Sequence, residues 1–402
     1  MLSDIGKISR SLPTSPSTVI LVCLVAILAL VFMHSFERAG LIARILPVAA
    51  FGLCLLLLLV PQKNISLLLI TGTMLSIPFA HFAVFVAVGE GVQWTHLLGA
   101  ILIVHLVVRV LLGNSVPIAP ATPWVLGLVA ATFISLFAVF DEPTIHITEF
   151  WKSEVQLLFG VLLFLSITHI RLEKHHLMML LKLMILLSVG IAIFGIYQLP
   201  ARYFGLPGGV LHLTNPSLSG AIQSTNLILN LTRSSSIFSE PSYYGHYLVG
   251  MMALSLTAAL HMPRMFGKSW YLWLIILIQA TGLVLSQSMG SFYMLAQLLL
   301  VMLIVERGTA RAKLIGAIAV IAAIGITAMV IIESFTGFTV GQQLIDRVVG
   351  IYHFILGDET YLVEGESAFM RVDTAKIALK VWQDNLFIGV GLGSYTLVGQ
   401  RY

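Results

Sequence analysis

The run Arg233-Ser-Ser-Ser-Ile-Phe-Ser-Glu-Pro-Ser-Tyr-Tyr-Gly-His-Tyr247 gathers an arginine, a carboxylate, a histidine, three tyrosines and five serines between stretches of hydrocarbon. These are the residue types that bind anions, move protons and hold polar substrates. Their local order matters. Ser239 or Glu240 is placed to cap a helix, with Pro241 in the first turn, where its missing N–H costs nothing. The positive end of the helix dipole stabilises a carboxylate there by about 0.3–1 kcal/mol. Glu240 is thus suited to orienting a cation or accepting a proton. On that helix Glu240, Tyr244 and Tyr247 share one face, and Tyr243 pairs with His246 at i, i+3. An interfacial aromatic belt would explain the tyrosines. It would leave Arg233 and Glu240 together unexplained.

The elements around this cluster are built for lipid. Of 402 residues, 58% are hydrophobic and 10% charged, with mean hydropathy +0.99. Soluble domains carry about 25% charged residues. Apolar runs of about 20 residues recur, each long enough to cross a bilayer as a helix. The expected fold is an all-α polytopic membrane protein with about eleven spans. They fall near 17–35, 41–60, 65–88, 95–112, 122–140, 153–170, 177–198, 241–261, 270–287, 290–305 and 314–332. Residues 1–332 form the bundle, including an external loop at 199–240. Residues 333–402 form a second external segment.

Basic residues orient the chain. One set of alternating loops holds Lys7, Arg10, Lys63, Arg109, Arg171, Lys174, Lys182, Arg264, Lys268, Arg307, Arg311 and Lys313. The opposite set, up to span eleven, holds Arg38, Arg44, Lys152, Arg202 and Arg233. The richer set is cytoplasmic, so the N-terminus is inside and the cluster outside. The net charge of +4 reflects this asymmetry and is no nucleic-acid footprint. Cys23 and Cys54 fall inside spans and read as apolar filler. Charges such as Arg109, Lys152, Glu154 and Lys182 are placed at span ends. His81, His105, Gln279 and Gln297 are the mid-span polar residues, read as packed neutral groups. That pattern gives little support to an ion-coupled pump.

In the first external segment, Pro200, Gly205, Pro207-Gly-Gly209 and Asn215-Pro216 predict turning backbone. A short interfacial helix is expected over 221–231. In the second, 341–366 reads as a solvated acidic loop. An amphipathic helix is expected near 367–386, with Ala368, Val372, Ala375, Leu379, Trp382 and Leu386 on its packed stripe. Arg371 sits at the edge of that stripe and needs an anionic or hydrogen-bonding partner. Gly389-Val-Gly-Leu-Gly393 lacks the dinucleotide spacing and reads as a tight loop.

Three segments in order resemble the bacterial O-antigen ligase and O-antigen polymerase superfamily. They are Arg233 with Ile237-Phe-Ser-Glu-Pro-Ser242, the turn Leu285-Ser-Gln-Ser-Met-Gly290, and Arg371 to Trp382 leading into Asp384-Asn-Leu-Phe-Ile-Gly-Val-Gly-Leu-Gly-Ser394. The resemblance covers roughly 150–402. It implies a GT-C-like enzyme of the bacterial inner membrane, active on the periplasmic face. The donor would be an undecaprenyl-diphosphate-linked oligosaccharide, with no metal or other cofactor. It implies Arg233 and Arg371 at the diphosphate, and it gives the proton acceptor a role, with Glu240 first and His246 second. Ser239, Tyr243, Tyr244 and Tyr247 would contact substrate. Membrane lipid, a flippase and a chain-length regulator are the implied partners, and nucleic acid is not.

The chain departs from the family in places. Gln287 stands where many relatives carry arginine. No histidine follows Arg371, and His353 comes too early. Relative to the family, the external segment is unfinished at Tyr402. The Ser-Glu-Pro-Ser-Tyr form leans toward polymerisation of repeat units into O-antigen, capsule or exopolysaccharide. Transfer of finished glycan to lipid A core or protein is the ligase alternative. A lipid-linked glycan flippase or transporter is the alternative of another class.

Overall fold

The computed structural model describes residues 62–87, 90–111, 119–139, 144–170, 172–211, 227–228, 231–336, 349, 362–386 and 389–399. The spans expected at 17–35 and 41–60 lie outside the described residues. The described chain is predominantly helical. In order it forms α1 (Gln62–Ser76), a 3-10 turn (Ile77–Phe79), β1 (Ala83–Ala87), β2 (Glu90–Gln93), α2 (Trp94–Leu111), α3 (Thr122–Ile134), α4 (Leu136–Val139), α5 (Thr144–Thr168) and α6 (Lys174–Tyr203). There follow β3 (Leu227–Ile228), β4 (Leu231–Thr232), α7 (Pro241–His261), α8 (Trp270–Ser286), α9 (Met289–Val305), α10 (Gly308–Thr336), α11 (Leu362–Asp384) and α12 (Tyr395–Val398).

Four helices are long and apolar enough to cross a membrane: Trp94–Leu111, Ile147–Thr168, Lys174–Arg202 and Gly308–Thr327. Shorter apolar helices cover Ser66–Phe79, Thr122–Ala138, Trp270–Ser286 and Met289–Val305. Large apolar side chains stand exposed along them, among them Trp124, Leu128, Val107, Ile304, Ile315 and Ile326. Water would not tolerate so much exposed apolar surface, and lipid does. The protein is therefore membrane-embedded.

The chain divides into two compact units, one of Met1–Leu102 with Leu172–Val330 and one of Ile103–Arg171 with Ile331–Tyr402. The first is centred on α7, which packs on α6, α8 and α9. Tyr244, Leu248, Met252 and Leu256 repeat every four residues along α7 and are fully buried. Leu272 and Leu283 of α8 and Ile185 and Ala192 of α6 meet them. Glu240 occupies the N-cap position with extended backbone, and Pro241 begins the helix. The helix stops at Met262, before Pro263, where the pre-proline residue resists helical backbone. The tight turn between α8 and α9 forms as expected. Gln287 closes α8 in the left-handed region (φ 48°), and the Ser288 side chain accepts from the Ser291 N–H to open α9.

In the second unit, α3 packs on α5. The Gly-rich loop packs closely on α5: a Cβ at Gly393 (φ +79°) would stand 2.2 Å from Ser153 Oγ and 2.8 Å from the Glu149 carbonyl oxygen. Tyr395 Oη donates to the Thr374 carbonyl (2.7 Å), tying α12 to α11.

Four expectations are corrected. The span at 65–88 ends at Phe79, because Pro78 sits in the 3-10 turn Ile77–Phe79 and the Val- and Phe-bearing segment after it pairs as β1 with β2. The described part of the helix expected at 221–231 is instead the β3–β4 hairpin, where branched and threonine side chains favour extended backbone. On α11 the stripe expected to pack is outward: Leu379, Trp382 and Leu386 are exposed and Val381 is buried, because α12 and Gly399 close on the Thr374–Ile377 side. Glu154 is not at a span end. It lies seven residues, or about 10 Å, into the apolar stretch of α5 and is fully buried. Thr132 Oγ1 donates to its Oε1 (3.2 Å), and its Oε2 has no partner.

Candidate functional site

The segment Arg233–Glu240 links the β3–β4 hairpin to α7, at the end of the first unit where α6 and α8 finish and α9 begins. Its serines are not displayed to solvent. Ser234, Ser235 and Ser236 are fully buried. Ser234 N–H donates to the Leu285 carbonyl (3.0 Å), and Ser234 Oγ to the Gly195 carbonyl (2.7 Å). Ser236 Oγ donates to the Ile191 carbonyl (2.7 Å). These carbonyls belong to helices, so the loop is bonded to their backbone.

Gln198 of α6 organises the loop. Its Oε1 accepts from the N–H groups of Ser235 (3.0 Å) and Ser236 (2.7 Å), and its Nε2 donates to the Ser236 carbonyl (3.2 Å). Loop donors that would otherwise be orphaned are satisfied by one amide. Ser236 takes a positive φ (50°) within this grip. That backbone is uncommon for a residue with a Cβ and is tolerated because the surroundings dictate it.

Two arginines bracket the loop. Arg202 Nε donates to the Gly209 carbonyl (2.5 Å), its Nη2 to Ser235 Oγ (3.0 Å), and its Nη1 to the Arg233 carbonyl. Gly209 can approach because it lacks a Cβ, which would stand 3.0 Å from the Ala201 backbone. Arg202 thus staples the turn after α6 to the start of the loop. Arg233 is half-buried, and its Nε donates to the Ser286 carbonyl (3.0 Å) at the end of α8. That bond fixes the plane of its guanidinium.

Glu240 and Tyr243 form the outer rim. Glu240 is half-buried, and Ser242 Oγ donates to its Oε2 (3.0 Å). Its side chain does not cap α7. Tyr243 is exposed and stands over the His81 ring, with centroids 5.7 Å apart. His81 also meets Phe238 edge-on at 5.8 Å. It is buried in the turn before β1, and its Nδ1 has no hydrogen-bond partner. Burial pushes the imidazole down to about 4, against the opposing pull of the Glu240 carboxylate. It is therefore neutral at ordinary pH.

The remaining predicted residues divide. Ser239 is buried, with an unpartnered hydroxyl. Tyr244 is fully buried, its Oη donating to the Ala192 carbonyl (3.3 Å). Gly195 and Gly282 pinch its hydroxyl from both sides, and a Cβ on either would overlap it. That placement makes Tyr244 a packing residue. Tyr247 is half-buried against Phe238 (5.4 Å). His246 is half-buried on α7. Arg371 belongs to α11 by its backbone, and its side chain lies outside the described residues.

Gln198, Arg202 and His81 carry the site's architecture or chemistry, and sequence reasoning did not single them out for it. Gln198 and Arg202 flank Pro200 in the last turn of an apolar helix, which was the available signal. Away from the site, Glu173, His175 and His176 bring ligand atoms within 4.8 Å of one another, as neighbours at an exposed helix start.

No protein-family model, curated protein or solved structure matches this chain.

Proposed function

We propose that this protein is a membrane glycan polymerase of GT-C-like architecture with about eleven spans. It would join undecaprenyl-diphosphate-linked repeat units into O-antigen, capsule or exopolysaccharide on the periplasmic face of the bacterial inner membrane. The observation that carries this reading is the braced Arg233 at the mouth of an apolar bundle, in one short loop with Glu240. A diphosphate leaving group gains negative charge as the anomeric C–O bond breaks. A guanidinium fixed in advance stabilises that charge with no reorganisation. Glu240, turned to the rim, takes the proton of the attacking acceptor hydroxyl, with His246 as second candidate. Tyr243 is the proposed sugar contact. Ser239 and Tyr247 are the further proposed substrate contacts.

Purified protein given lipid-linked repeat unit tests this directly. Longer glycan on the polyprenyl carrier is the expected product. Transfer to lipid A core would make it a ligase instead, and neither product would defeat the enzymatic reading.

One observation favours a second reading, a lipid-linked glycan flippase or transporter. Glu154 is a carboxylate buried within an apolar helix, and such groups commonly mark transport pathways. On the polymerase reading Glu154→Gln leaves chain extension within about twofold in vitro. Loss of lipid-linked glycan movement across vesicles in that variant, with extension absent in the wild type, selects the transporter.

A further inference from the structure

The opposite end of the first unit carries a feature that glycan transfer does not use. Between α8 and α10 lies an open groove of about 530 Å³. That is within the usual size of a small-molecule site, about 300–1,000 Å³. Its lining is graded. Trp270, Trp273 and Lys313 stand at one end, and Leu277, Gly316 and Ile321 lie further along. Helices α8 and α10 both begin at this end, because α9 runs back between them. From Trp270 to Leu277 the groove follows the helix for about 10 Å. A cation and two indoles over an aliphatic trough is the order of a membrane interface followed by hydrocarbon.

The surrounding charge is mainly basic. Arg264, Lys268, Arg307, Arg311 and Lys313 are exposed at this end. Glu306 is the sole acid between 241 and 332, and its carboxylate lies 2.8 Å from His261 Nε2. Basic pockets between helices suit anionic lipid headgroups, at about 1 kcal/mol per basic residue near the surface.

We propose that this groove seats an acyl chain of an anionic membrane phospholipid whose phosphate pairs with Lys313. The site is independent of the glycan reading. Gly316 supplies its depth, since a Cβ there would meet nothing within 4 Å. A Cβ at 316 therefore enters open space, and a side chain in place of glycine improves helix propensity.

The test uses the full chain in nanodiscs of phosphatidylcholine, with and without phosphatidylglycerol. The wild type gains at least about 3 °C in thermal midpoint from phosphatidylglycerol and retains that lipid in native mass spectra. Lys313→Gln and Gly316→Leu each remove most of the gain. Gly316→Leu keeps its midpoint in phosphatidylcholine, which separates a filled groove from a damaged fold. Lys268→Gln, at the basic rim but outside the groove, loses less of the gain than Lys313→Gln. The proposal is overturned if the wild type shows no difference between the two discs, if both groove variants keep the full gain, or if Lys268→Gln loses as much as Lys313→Gln. A gain from polyprenyl phosphate that phosphatidylglycerol does not produce also overturns it, assigning the groove to the carrier lipid.

Discussion

The two ends of the helices around α7 handle polar groups in opposite ways. At the end where α7 begins, polar side chains turn inward and bond helix backbone. Gln198, Arg202 and Arg233 spend donors on carbonyls of the loop, the preceding turn and α8. At the end where α7 stops, basic side chains point outward around an apolar groove. The first end is organised before any ligand arrives. The second offers charge and hydrocarbon to whatever the membrane supplies. Fixed geometry is what a reacting site requires, and a lipid contact does not require it.

Breaking the first end should have the largest effect. Gln198→Leu removes the side-chain acceptor of the buried Ser235 and Ser236 N–H groups, at about 1–3 kcal/mol each. The expected outcome is a fall of several degrees in thermal midpoint in detergent, with faster amide exchange confined to 233–240. Unchanged exchange there would mean that the loop is held by something other than this amide.

Acidification comes next. The folded His81 imidazole titrates near 4 and the unfolded one near 6.5. Between these values the unfolded chain binds the extra proton, so stability is complete above about pH 6.5 and declines as pH falls towards 4. His81→Phe keeps the ring packing on Phe238 and Tyr243 and removes the titration. Its thermal midpoint should therefore vary less between pH 7.5 and 4.5 than that of the wild type. Equal slopes would remove His81 from the account.

The smallest effect belongs to the second end. In phosphatidylcholine, Lys268→Gln should shift stability by no more than about 0.5 kcal/mol, as expected of exposed surface charge. A larger loss would mean that this end too is prearranged, and the contrast would fail.

The sequence showed much of the frame because lipid imposes a simple code. The expected spans at 241–261 and 270–287 coincide almost residue for residue with α7 and α8, since unbroken apolar runs ended by Pro263 and Ser286-Gln287 leave few alternatives. The code fails where burial comes from tertiary contact. Ser234 to Ser236 read as part of an external polar cluster, yet they are buried because a single glutamine 36–38 residues earlier receives them. Tyr244 read as a substrate contact, yet Gly195 and Gly282 open a slot for it. On α11 periodicity found the stripe but not which side would be covered. Arg233 and Glu240 were legible because a charge beside a membrane helix is conspicuous. Arg202 was equally conspicuous by type, but its role as a staple depended on Gly209 folding back over α6.

The central claim is that Arg233 is held in place to bind a diphosphate, which is distinct from holding the loop together. Chain extension of lipid-linked repeat units should be measured for wild type and Arg233→Lys, alongside their thermal midpoints. The account predicts that Arg233→Lys folds within about 2 °C of the wild type and extends glycan at least about 100-fold more slowly, because an ammonium cannot reproduce the planar fork. Full extension by Arg233→Lys, or none by the wild type, would contradict it.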